Sequence, residues 1–262
     1  MFHSVRMALL AGVAFAGISG GAQAATLYTL GLDNKLAKID TDSRKVMGTM
    51  TVRGAEGKVL AVAVRPADGK LYGLTDAGQI VTIDPATGQA TQVSRLAEKL
   101  EFGARVAINF NPVVDRLRIV GINGANFRIH PDTGAVTKDM ALKYADGSTQ
   151  AGQQPMVTAV AYTNHFAGTK ETGLYTIDPR LGQINLQAPP NDGVQQPKVN
   201  AGMALPYGIG FDILADGQGG NTGYIIAGGK LHTLGMADAK LTTVGPITGL
   251  SWNEVLSVAV VK

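Results

Sequence analysis

Three glutamates, Glu56, Glu101 and Glu254, stand with Arg105, Asn123, Asn126, Tyr207 and Trp252 in stretches rich in Gly, Pro and polar residues. Carboxylates, a guanidinium, amides and aromatic rings gathered at one mouth would orient and stack a small polar or carbohydrate-like ligand. The same glutamates would serve a metal-assisted hydrolase or lactonase-like enzyme acting on a small ester or sugar acid, if two of them and a third ligand met at one cation. Other chemistries find no support. The chain has no Cys, so there is no thiolate nucleophile, thiolate metal site or disulfide framework. His3, His130, His165 and His232 lack the close spacing of zinc ligands. No G-x-S-x-G elbow or P-loop occurs, and "GIGFDI" lacks the third Gly of a dinucleotide fingerprint. "TDSRK" and "YADGSTQ" offer oxygen ligands for a structural calcium ion, without the alternating carboxylates and closing Glu of a dedicated loop. No catalytic residue, metal site or cofactor is therefore assigned.

The elements that must position these residues recur along the chain. "VLAVAVRPADGKLYGLT" at Val59, "VAINFNPVVDRLRIVG" at Val106, "VTAVAYTNHFAGTKETGLYTID" at Val157 and "YGIGFDILADGQGGNTGYIIAGG" at Tyr207 each read as strand, polar turn, strand. A third strand follows in each ("QIVTID", "NFRIH", "QINLQ", "KLHTL"), then a weaker fourth after turns such as "DPATG" and "HPDTG". Four antiparallel strands every 46 to 52 residues or so describe a propeller blade.

The ends supply a fifth. "VLSVAVVK" at Val255 matches a first strand with nothing after it, whereas "TLYTLG", "KLAKID" and "KVMGTM" match strands two, three and four. The expected fold is all-β: a five-bladed β-propeller closed by pairing of the N- and C-terminal strands, which removes exposed edges. The alternative is six blades, one of them degenerate within "NLQAPPNDGVQQPKVNAGMALP".

The innermost strands are expected to turn small residues inward in two rows: Ala61, Ala107, Ala159, Gly208, Ser257, then Ala63, Asn109, Ala161, Gly210, Ala259. Val62, Ile108, Val160, Ile209 and Val258 alternate with them. Asn109 is the one amide among these small side chains, placed either to meet water, an ion or a ligand in the channel or to be satisfied within the core. Arg118 stands where the other units have Tyr28, Tyr72, Tyr175 and Tyr224, which suits stacking on a ring or pairing with a carboxylate.

In this arrangement the links from one blade to the next, and the turns between strands two and three, ring the top face. That face holds the eight residues named first, and by analogy with other propellers it is the expected site. Asp115 and Arg116 fall in a bottom-face hairpin, where Asp68 stands in a similar turn, so they read as turn chemistry.

The segment 1–24 has a basic start at Arg6, an apolar run from Met7 to about Ile18 and an A-x-A pattern at Ala22 and Ala24, the pattern of a cleaved signal peptide. The expectation is then one domain over 25–262, periplasmic or secreted, with no membrane insertion after cleavage. A formal charge of +3 spread along the chain gives no stripe for nucleic acid. A binding or interaction module for a small polar ligand or an envelope protein is the favoured function, and a purely structural envelope role is not separable from it.

The wording "RPADGKLYGLT", "NFNPVVDRLRIVG", "NFRIHPDTGAV", "AYTNHFAGTKETGLYTID" and "QAPPNDG" resembles the bacterial secreted family known as domain of unknown function 4394, from about Leu27 to Gly249. The resemblance implies an exported β-propeller-like domain and brings no reaction or catalytic residue. His165 departs from the family, whose loop more often has Asn.

Overall fold

The turns that separate the strands are held by their own side chains. In "DPATG" the Asp84 carboxylate accepts hydrogen bonds from the Ala86 N–H (2.8 Å) and the Thr87 hydroxyl (2.9 Å), and Gly88 takes a φ of 76°, which closes the hairpin. The computed structural model describes residues 25–202, 205–252 and 254–262, all strand, turn or loop; the segment read as a signal peptide lies outside them.

The first strands are β1 (Thr26–Leu30), β2 (Lys35–Asp40) and β3 (Lys45–Thr51). Next come β4 (Val59–Val64), β5 (Leu71–Thr75), β6 (Gln79–Ile83) and β7 (Ala90–Arg95), then β8 (Val106–Asn111), β9 (Arg116–Gly121), β10 (Asn126–Ile129) and β11 (Val136–Lys138). They are followed by β12 (Lys143–Tyr144), β13 (Ala159–Tyr162), β14 (Leu174–Asp178), β15 (Gln183–Gln187) and β16 (Val194–Asn200). The last are β17 (Gly210–Ala215), β18 (Asn221–Ala227), β19 (Lys230–Gly235), β20 (Leu241–Pro246) and β21 (Ser257–Val261). They form five sheets: β21-β1-β2-β3 (blade I), β4 to β7 (blade II), β8 to β11 (blade III), β13 to β16 (blade IV) and β17 to β20 (blade V). The short β12 adds a parallel edge to blade IV on β16. The Pro- and Asn-rich stretch that suggested a sixth blade ends β15 and forms β16. The molecule is a five-bladed β-propeller, and β21 zips onto β1 from Thr26 opposite Val261 to Leu30 opposite Ser257.

Five apolar clusters seal the blade interfaces. Blades I and II share Leu30, Leu36 and Ala259 with Val62, Val64 and Leu71. Blades II and III join through Ala61 and Ala63 against Ile108 and Phe110, and III and IV through Ala107 and Val120 against Val160 and Tyr162. Ala159 and Ala161 meet Ile209 and Phe211 between IV and V, and Tyr224 and Ile226 meet Val258 and Val260 between V and I.

Two details differ from the expectation. The alanines of the small rows pack against the bulky row of the next blade, and Asn109 and Asp212 bond to each other across the ring, so no open channel is lined; small against large lets inner strands approach around a narrow axis. In blade V the register lies two residues further on. Tyr28, Tyr72, Arg118, Tyr175 and Tyr224 stand opposite Ala259, Ala63, Asn109, Ala161 and Asp212. Gly210 therefore belongs to the first row, Gly208 precedes the strand, and a buried aspartate occupies the second row.

Candidate functional site

On the top face the expected residues divide into separate small groups. Glu56 pairs with Arg95, and its N–H donates to Gln79 Oε1 at 2.8 Å. Glu101 is exposed with Lys99 Nζ at 3.6 Å, and its carbonyl accepts from Asn123 Nδ2 at 3.2 Å. Glu254 lies 3.4 Å from Arg105 Nη2, while Arg105 Nη1 donates to the Val255 carbonyl at 3.1 Å. Burial pushes the Arg105 guanidinium down from its ordinary value, and Glu254 opposes that. Trp252 packs over Gly31, where a Cβ would run into the indole, and Tyr207 is exposed. Each of the three glutamates thus has its own cation. Among the described residues no group of three His, Asp or Glu is placed to hold a metal ion. A void of about 10 Å³ lies among the inner strands of blades I, III, IV and V, lined by Ala107, Ala159, Ser257 and their bulky neighbours, too small for a ligand.

Asn126 lies away from that face, buried between blades III and IV. Its Oδ1 accepts from Arg118 Nη1 (2.8 Å), and its Nδ2 donates to the Met140 and Pro190 carbonyls, both at 3.1 Å. Arg118 is buried and pairs with Asp139 at 2.6 Å, with Asn191 accepting a further bond at 2.9 Å. The guanidinium that breaks the tyrosine pattern is therefore structural cement between two blades.

Asn109 also serves the core. Its Nδ2 donates to Asp212 Oδ1 (3.0 Å) and its Oδ1 accepts from the Tyr162 N–H (3.2 Å). Asp212 further accepts from the N–H groups of Ile213 (2.9 Å) and Val260 (2.8 Å), so one carboxylate ties blades III and V to the closing strand. Burial pushes the Asp212 carboxyl up, against the pull of His165 and these donors; burial pushes His165 down, against the pull of Asp212. The His165 Nε2 is buried without a hydrogen-bond partner among the described residues.

The large concavities open on the bottom face. One, of about 670 Å³, separates blades I and II; its polar groups are Tyr28, Lys70, Thr82, Asp84, Gln89 and Thr91, over a floor that includes Leu71, Ile83 and Val261. It adjoins a well of about 400 Å³ beside His165 and Phe166 through the shared residues Val64, Gly69 and Val261.

The corresponding place between blades II and III is closed. There Arg65 reaches across the interface, its Nε to Asp115 Oδ1 (2.9 Å) and its Nη1 to Asp132 Oδ1 (2.8 Å) and to the Tyr72 hydroxyl (3.0 Å). Strand register identifies the equivalents between I and II. Arg65 and Val261 each stand two residues beyond the partner of the blade's tyrosine, Ala63 or Ala259. Asp115 and Gly69 each precede the second strand with positive φ, 48° and 68°, and Asp132 and Ala86 are the third residues of "HPDTG" and "DPATG". Val261, Gly69 and Ala86 thus replace an arginine and two aspartates, and an open cleft stands where a clamp would be. Sequence reasoning missed this place; the signal was Arg65 against Asn111, Thr163, Leu214 and Val261 at the same position.

The family model described as "Domain of unknown function (DUF4394)" matches residues 35–259, which run from β2 to β21. The chain belongs to the DUF4394 family. Among solved structures, a structural genomics protein of unknown function from Bacteroides thetaiotaomicron VPI-5482 is similar with a TM-score of 0.57 at 19% identity, over 91% of this chain and 65% of its own. A protein of unknown function from Bacteroides caccae follows with a TM-score of 0.47, 9% identity and coverage of 91% and 99%. Virginiamycin B lyase from Staphylococcus aureus has a TM-score of 0.44 at 15% identity, over 83% of this chain and 64% of its own. This DUF4394 chain thus spans 65% of the length of the first of these. At such identities the likeness concerns the fold alone. No curated protein matches the sequence.

Proposed function

We propose that this DUF4394 member is an exported, non-catalytic binding module that holds a small polar ligand in the bottom-face cleft between blades I and II. The observation that carries the reading is the cleft itself. It has about 670 Å³ of space, walls that mix a phenol, an amide, two threonines, a carboxylate and an ammonium, and an apolar floor. Sites that orient small molecules combine an apolar surface with a few directed polar groups in this way. Export rests on the basic start, apolar run and A-x-A pattern of residues 1–24.

The reading moves the ligand away from the top face, where the glutamates are engaged in separate ion pairs and the axis is filled. The test is a thermal-shift screen of residues 25–262 against sugars, amino acids, amines and short peptides, run beside Val261→Arg, whose guanidinium would occupy the place beside Tyr28 that Arg65 takes beside Tyr72. The expected outcome is at least one compound that raises Tm of the parent protein and loses its effect in Val261→Arg. Equal shifts in both proteins, or none with any class of compound, would overturn the reading.

A further inference from the structure

The interface between blades II and III provides an internal template for what the open cleft would hold. There a guanidinium lies against a tyrosine ring, with Arg65 Cζ 5.6 Å from the Tyr72 centroid, and donates to that tyrosine's hydroxyl and to two carboxylates. The rim of the same site carries a second cation, Arg116, which with Arg65 and His130 favours the ionised form of Asp132. A guanidinium is thus stably seated there despite a cationic neighbour.

Between blades I and II the ring and the rim cation persist, the guanidinium and both template aspartates are replaced, and a different carboxylate, Asp84 at the place of His130, lines the cleft. Tyr28 takes the place of Tyr72, Lys70 the place of Arg116, and Asp84 supplies the negative charge from the C-terminal end of β6. Burial and the charge of Asp84 both push the Tyr28 hydroxyl up, and no cation opposes them there. The Tyr28 hydroxyl has no hydrogen-bond partner among the described residues. The charged groups facing the cleft are Asp84 and Lys70, and the remaining polar walls are neutral.

Taking the cleft as the ligand site, as proposed above, we infer that it receives the guanidinium group of a small ligand, seated against the Tyr28 ring and donating to its hydroxyl and to Asp84. An arginine-like head fits this place better than an alkylammonium because its planar fork can stack and bond in two directions together.

The experiment is an NMR titration of residues 25–262 with methylguanidinium, N-acetylarginine amide and methylurea, the last being the neutral isostere of the first. Saturable binding of a guanidinium, with methylurea at least about tenfold weaker, is the expected result. Asp84→Asn keeps an acceptor for the Ala86 N–H and should weaken guanidinium binding by about tenfold, Lys70→Gln should strengthen it, and Val261→Arg should abolish it. Tighter binding of N-acetylarginine amide than of methylguanidinium would assign the site to arginine side chains of peptides; the reverse would assign it to free guanidinium compounds. Equal binding of methylurea, or guanidinium binding untouched by both Asp84→Asn and Val261→Arg, would overturn the inference. A neutral sugar or amide that binds and is lost only in Val261→Arg would sink the guanidinium while sparing the cleft as a ligand site. Silence from every compound would sink both.

Discussion

Asp212 and His165 give two residue-scale tests. Asp212 is fully buried and accepts from Asn109, Ile213 and Val260. Asp212→Ala would leave three buried donors unpaired, an expected loss of roughly 2–5 kcal/mol in urea unfolding; a loss under about 0.5 kcal/mol would contradict the assignment. Burial holds His165 below its ordinary value of 6.5, so the unfolded chain takes up a proton that the fold refuses. Its contribution is intact above pH 6.5 and is lost as pH falls through the folded value, with a slope of at most about 1.4 kcal/mol per unit. Asp212 acts with the opposite sign, since its raised folded value returns stability as pH falls towards its ordinary value of 3.8. His165→Asn should therefore remove a decline in stability that begins as pH falls below 6.5, read from chemical denaturation across a pH series; an unchanged profile would show that His165 is not held neutral. Asn109 was legible because it breaks a row of small side chains. Its partner was not, because "YGIGFDI" offers a Gly-x-Gly alternation that fits the row one repeat too early. Pairing Tyr224 with its cross-strand neighbour would have corrected the register.

At the scale of elements, what distinguishes one blade interface from the next is the pair of bottom-face turns. Arg65 is held protonated, above its ordinary value, chiefly by its hydrogen bond to Asp115, with Asp132 and Tyr72 adding to that against the cost of burial. Arg65→Ala is expected to destabilise the protein by about 1–3 kcal/mol and to open a second cleft beside Tyr72; an unaltered urea midpoint would argue that the clamp is ornamental. The converse transplant, Val261→Arg with Gly69→Asp and Ala86→Asp, should close the first cleft while preserving the fold, because Asp115 already adopts the left-handed backbone that position 69 needs. Hairpins were readable from local alternation and turn residues. The clamp was not, since its partners lie 50 and 67 residues apart and nothing local links them. Turn chemistry accounts for the backbone of Asp115 but not for its carboxylate, which binds across the interface.

For the whole molecule, ring closure was the most legible feature, because the two ends carry complementary parts of one blade. The chain has no native cysteine, so Thr26→Cys with Val261→Cys, which are register partners on β1 and β21, can pair in only one way. Oxidation under native conditions should form the crosslink and raise Tm, the loop-entropy stabilisation being about 5 kcal/mol before strain; failure to oxidise without denaturant would deny the closure. The site was less legible than the ring. Which face offers space depends on how loops fill volume, and of the eight top-face residues only Glu254 with Arg105 and Glu101 with Asn123 meet one another. The most direct test of the cleft as the binding face is a resonance-resolved NMR titration with methylguanidinium. Saturable shifts at Tyr28, Lys70, Leu71 and Val261, with the Trp252 indole on the opposite face unmoved, are the expected result. Shifts confined to Arg105, Trp252 and Glu254, or no shifts at all, would contradict it.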